Sequence, residues 1–203
     1  MAAHPDTECS VLWRPPYDRE IRPLLLRWLG EQHAEEADTV ILEELGLNRR
    51  RVRADLVVIN GALHGYEIKS EYDSLRRLRK QVELYDAVFD RATLVVSRRH
   101  LSVARNLLPS WWGIIVVEGF GSTVGFRTLR RGRRNRSRLA RTLVEFIWRD
   151  DAMALLERKV AARGYRSSPR RLIWDRICEL YSLEEIATEV RRRLKARAAT
   201  SVA

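Results

Sequence analysis

Residues 52–70 read VRADLVVI, NGA and LHGYEIKS, two β-forming segments joined by Asn60-Gly61. Asn-Gly between such runs is a strong short-range hairpin signal. In a strand, side chains two residues apart point to one face, so Glu67 and Lys69 share a face. Asp55 lies near the start of the preceding strand, across the hairpin. Two carboxylates and an ammonium on one sheet face are expensive to keep without a partner. A hard divalent cation satisfies the carboxylates, and the lysine can then orient or polarise an attacking water.

The hairpin also sets a register problem. A regular two-residue turn at Asn60-Gly61 pairs Ile59 with Ala62, so that paired positions add to 121 and Asp55 opposes Tyr66. Asp55 and Glu67 would then lie on opposite faces of the sheet. The chemistry needs positions that add to 122, with Asp55 opposite Glu67. One extra residue has to be absorbed, either by a bulge at Gly65, the first candidate, or by a three-residue turn from Asn60 to Ala62.

Outward from the hairpin, Leu24, Leu25, Trp28 and Leu29 recur at helical spacing and predict a helix from about Asp18 to His33. Pro23 argues for a start one turn later. Thr39 to Leu45 reads as a strand stopped by Gly46. Leu75, Leu78, Val82, Tyr85 and Phe89 mark an amphipathic helix. Ala92 to Ser97 is a fourth strand, Leu101 to Leu108 a helix ended by Pro109, and Gly113 to Glu118 a fifth strand. The order predicts an α/β core on a mixed sheet. The expected organisation is an N-terminal arm (1–17), this core (18–126), a basic segment (127–141) and a helical C-terminal extension (142–203) with helices over Leu143–Val160 and Leu172–Leu194.

The Asp55, Glu67-Ile68-Lys69 pattern in this element order resembles the PD-(D/E)XK nuclease superfamily, with Ala54-Asp55 in place of the usual Pro-Asp. Gln81-Val-Glu-Leu-Tyr85 has the Gln-x-x-x-Tyr spacing of its RecB-like branch. The segment Leu63 to Ser70 and the arginine-rich C-terminal helices also resemble a bacterial and phage family of uncharacterised function within that superfamily. The resemblance covers roughly half the chain and implies a restriction-endonuclease-like core, α-β-β-β-α-β. It implies Mg2+ or Mn2+ at Asp55, Glu67 and Ile68, with Lys69 handling the water and Gln81 and Tyr85 shaping the site. A further acid from the first helix is expected, Glu20 by choice, with Glu44 of the first strand as the alternative. His64 has no metal-spaced partner and reads as structural.

The chain carries 38 Lys and Arg against 27 Asp and Glu, a net charge of +11 that favours a polyanion partner. Arg76, Arg77, Arg79 and Lys80 open the helix after the Glu-X-Lys strand. Eight arginines fall between Arg127 and Arg141, of which Arg130, Arg131, Arg133 and Arg134 are the candidates to grip backbone phosphates. Trp111-Trp112 is a weaker candidate for base stacking. No run reaches the roughly 18 uncharged apolar residues of a membrane span. The first ten residues do not read as a secretory signal, and two distant cysteines, Cys9 and Cys178, fit a reducing, cytoplasmic address. The expectation is a metal-dependent nuclease acting on DNA rather than RNA. A non-catalytic nucleic-acid-binding module on the same fold is the alternative, and a protein docking partners through its C-terminal helices a weaker third.

Overall fold

A computed structural model describes residues 14–47, 52–119 and 123–202. Most of the expected N-terminal arm, Cys9 included, lies outside the described residues. Six strands form one mixed sheet in chain order: β1 (Val40–Leu47), β2 (Val52–Ile59), β3 (Leu63–Lys69), β4 (Arg91–Ser97), β5 (Gly113–Glu118) and β6 (Gly125–Arg130). The first three strands pair antiparallel, β3–β4 and β4–β5 pair parallel, and β6 returns antiparallel. The parallel steps are bridged by α2 (Leu78–Val88) and α3 (Leu101–Leu107), as crossovers require. Strand β6 was not expected, because it overlaps the start of the arginine run.

Helix α1 (Asp18–Gln32) begins where its apolar pattern does, in spite of Pro23. The one hydrogen bond that proline removes is outweighed by Ile21, Leu25 and Leu29, all buried against Leu56, Tyr66 and Ile68. The opposite face of the sheet is covered by α2, α3 and the remaining helices: α4 (Ala140–Leu143), α5 (Arg149–Arg158), α6 (Arg170–Leu180) and α7 (Leu183–Val202). Leu143, Leu156, Trp174, Ile177 and Val190 share a single buried cluster with Leu94, Val96, Tyr85 and Phe89 of the core. The C-terminal helices are therefore one layer of the domain rather than an extension appended to it. Among the described residues no helix is long and apolar enough to cross a membrane.

The register problem is solved in the turn. Ile59 pairs with Leu63, Val58 with His64, Val57 with Gly65 and Leu56 with Tyr66, so the positions add to 122 along the ladder. The extra residue sits in a three-residue turn, closed by the Ala62 N–H donating to Asn60 Oδ1 at 3.2 Å. Gly65 is not bulged. A Cβ there would meet the Phe89 ring at 2.6 Å, so the glycine lets that ring lie flat on the sheet.

Candidate active site

This register brings Asp55 level with Glu67, just past the last paired residues of β2 and β3. Backbone pairing ends at Leu56–Tyr66, and beyond it the Ile68 N–H donates to Asp55 Oδ2 at 2.7 Å. The other oxygen, Asp55 Oδ1, accepts from Arg22 Nη2 at 3.0 Å. Burial first, and the nearby Glu67 charge second, push the Asp55 carboxyl up to about 7.

Glu67 is 2% exposed. Its Oε1 accepts from Lys69 Nζ at 2.5 Å and from Gln81 Nε2, and its Oε2 accepts from the Tyr85 hydroxyl at 2.7 Å. Gln81 and Tyr85, one turn apart on α2, thus come together on the carboxylate that the Glu-X-Lys strand presents. Burial raises the Tyr85 hydroxyl well above its usual range, so it stays a donor. The ring is fully buried against Phe89 and Trp112, with centroids at 4.8 and 5.2 Å. Gln81 Oε1 is buried with no hydrogen-bond partner.

A cleft of about 580 Å³ opens over this group. Its lining includes Asp55, Glu67, Ile68, Lys69 and Gln81, with Arg77 and Lys80 from the following helical turns and Asp18, Glu44, Arg53 and Asp73 around them. Arg76 is exposed on the same turn but does not line it.

The helix acid is not the expected one. Glu20 is held by Arg14, at 2.7 and 2.8 Å, and accepts the Tyr17 N–H at 2.8 Å, which caps α1. The Arg14 guanidinium, then the Tyr17 amide, pull the Glu20 carboxyl down to about 2. Asp18 takes its place at the cleft. The alternative, Glu44, does line the cleft, on a residue with a left-handed backbone (φ 54°). Arg22, which sequence reasoning passed over, joins these acids by contacting Asp18 at 3.0 Å, Asp55 at 3.0 Å and Glu44. Only its i,i+4 spacing from Asp18 was visible in the sequence.

His64 points to the other face of the sheet. It bonds Thr93 Oγ1 at 2.8 Å and stacks on Tyr66, and burial lowers it to about 3, so it is a neutral, partly buried structural residue. Trp112 is fully buried and donates to Asp86 at 2.9 Å, so it is unavailable for base stacking.

Part of the arginine run is tied into the fold. Arg130 donates to the Trp112 carbonyl at 2.6 Å and the Pro109 carbonyl at 3.1 Å, and Arg133 to the Ser110 carbonyl at 3.3 Å. Arg134 pairs with Glu184 at 3.0 Å, and Arg141 with Asp175 at 2.7 Å. Arg138, 6% exposed, binds Glu184 at 2.6 Å, and its Nη1 approaches Asp90 to 2.7 Å without the alignment of a hydrogen bond. Arg127, Arg131, Arg133, Arg134 and Arg136 stay exposed.

Among the described residues no three His, Cys, Asp and Glu side chains form a metal cage. A hard cation such as Mg2+ does not need one, since it takes one or two carboxylates and completes its shell with water and phosphate oxygens. Asp55 and Glu67, the Ile68 carbonyl and the unpartnered Gln81 Oε1 fit that demand.

The family model for bacteriophage P4 protein cII matches residues 16–202 of this chain. Protein cII of Enterobacteria phage P4 is 32% identical over 116 residues, which are 57% of this chain and 44% of that protein. The match thus spans less than half the length of the phage relative. A protein of unknown function from Silicibacter pomeroyi, SPO1766, is similar at a TM-score of 0.38 and 20% identity, over 68% of this chain and 89% of that one.

Proposed function

We propose that this chain, which belongs to the bacteriophage P4 protein cII family, is a divalent-metal-dependent nuclease that hydrolyses phosphodiester bonds, in DNA before RNA. The restriction-endonuclease-like core and the kinship with PD-(D/E)XK enzymes are part of the same proposal. The observation that carries it is the buried Glu67 carboxylate, gripped by Lys69, Gln81 and Tyr85 with Asp55 opposite, on the floor of an open cleft. Isolated buried carboxylates are expensive, and burying two beside each other is costlier still.

Mg2+ or Mn2+ would be held by Asp55, Glu67 and the main-chain carbonyl of Ile68, and would supply charge neutralisation at the phosphate and a more acidic water. The remaining work falls to the chain itself. Lys69 sits on the cleft floor, placed to orient a water or a phosphate oxygen. Gln81 and Tyr85 fix the Glu67 rotamer from α2. Arg77 and Lys80 stand on the wall, where they can neutralise flanking phosphates.

One observation favours the non-catalytic alternative: Arg22 and Lys69 already neutralise both carboxylates. Calorimetric titration with Mn2+, followed by incubation with labelled linear, circular and single-stranded DNA, separates the two. Metal binding at Asp55 and Glu67 with metal-dependent cleavage supports the nuclease. DNA binding without either supports the binding module.

A further inference from the structure

At the rim of the cleft Tyr17 and Tyr72 stack face to face, with ring centroids 4.2 Å apart and planes 23° from parallel. Both are exposed, Tyr17 by 37% and Tyr72 by 48%. Neither belongs to a buried cluster, so core packing does not account for them. Each immediately precedes a residue that lines the cleft, Asp18 and Asp73. The loop under Tyr72 is fixed by Ser70, whose N–H and hydroxyl donate to Asp73 Oδ2 at 2.8 and 2.6 Å. Two guanidinium groups flank the stack: Arg19 lies 5.3 Å from the Tyr17 ring centroid, and Arg14, paired with Glu20, lies 4.6 Å from it. Tyr72 is nearly half exposed and has no ring or cation partner other than Tyr17 among the described residues.

A fixed, exposed aromatic face with the Arg19 guanidinium behind it, beside a cleft lined with Arg77 and Lys80, is what an unpaired nucleobase requires. Stacking on such a face tolerates any base, and the flanking cations meet the phosphates. Bases inside a duplex are already stacked on both faces and cannot use it. We infer that Tyr17 and Tyr72 form a stacking subsite for an unpaired base next to the scissile phosphate, so that single-stranded DNA, or a frayed or flapped end, is the preferred ligand of the cleft. The inference rests on the nuclease reading of that cleft.

The test is fluorescence anisotropy of the full chain, in EDTA to prevent turnover, with a labelled oligothymidine and with a blunt duplex of equal length. Tyr72→Ala should weaken oligothymidine binding about tenfold, with duplex binding unchanged. Tyr72→Phe should keep the affinity, and the fluorescence of Tyr72→Trp should be quenched by the oligothymidine. Unchanged oligothymidine affinity in Tyr72→Ala, or no quenching in Tyr72→Trp, overturns the subsite. Repeating the series with Mn2+ distinguishes the two readings. If the wild type cleaves and Tyr72→Ala is unaffected in binding, only the subsite falls. If Tyr72→Ala loses affinity and the wild type never cleaves, the subsite stands and the nuclease reading falls. A wild type that binds neither polymer overturns both.

Discussion

The Ile68 N–H donates to Asp55 Oδ2 at 2.7 Å, so a side chain of β2 takes the amide of β3 just where the ladder between the two strands stops. That bond holds the Asp55 carboxylate beside the Glu-X-Lys strand. It also ties the geometry of the carboxylate pair to the length of a turn at the far end of the hairpin.

Metal binding should follow the protonation of Asp55. A carboxyl raised to about 7 holds its proton in the folded state below that pH, and an incoming cation has to displace it. Affinity for Mn2+ should therefore rise from pH 5.5 to about 7.5 and then level off, with proton release on binding. Asp55→Asn should weaken binding and flatten the profile. Arg22→Gln, which frees Asp55 Oδ1, should tighten it. Calorimetry in buffers of different ionisation enthalpy measures all three, and a flat wild-type profile would contradict the assignment.

The contact between Gly65 and Phe89 makes a stability prediction. Gly65→Ala places a methyl group within 2.6 Å of the ring, and overpacking of this kind costs about 1–3 kcal/mol. In a Phe89→Leu background the same change should cost much less, because the obstructing ring is gone. Thermal or urea unfolding of the four proteins checks it, and additive costs would show that the ring is not what the glycine accommodates.

How much of this was legible beforehand differs from residue to residue. The alternation of Glu67 and Lys69, and the arithmetic that demanded one extra residue, were readable because strand geometry has a period of two. Where the extra residue went was not: a bulge at Gly65 and a turn through Ala62, closed by Asn60, satisfy the same count. Glu20 and Asp18 are likewise indistinguishable by composition. The choice between them is made by Arg14, which draws Glu20 away into the cap of α1. The arginine run looked like a solvated grip because its acidic partners Asp90, Asp175 and Glu184 lie far along the chain.

Those arginines should separate by experiment. Arg138→Met leaves the buried Asp90 facing only Arg191, at 3.5 Å, and the Leu63 amide. Breaking such a pair should cost about 3 kcal/mol in chemical unfolding. Changing Arg131 and Arg136 to Ser should alter stability by less than about 0.5 kcal/mol. If they touch duplex DNA, the slope of log affinity against log salt should fall by about 0.9 per lost phosphate contact. A marginal Arg138→Met effect would contradict the structural role assigned to Arg138.

Metal-dependent hydrolysis at this cleft is decided by single-turnover cleavage of labelled DNA by the wild type and Lys69→Ala, in Mn2+ and in EDTA, with binding measured in parallel. The wild type should cleave only with metal, Lys69→Ala should lose about 10²–10⁴-fold in rate, and DNA affinity should be nearly unchanged by the substitution. Cleavage by Lys69→Ala at the wild-type rate, or wild-type cleavage that persists in EDTA, would contradict it.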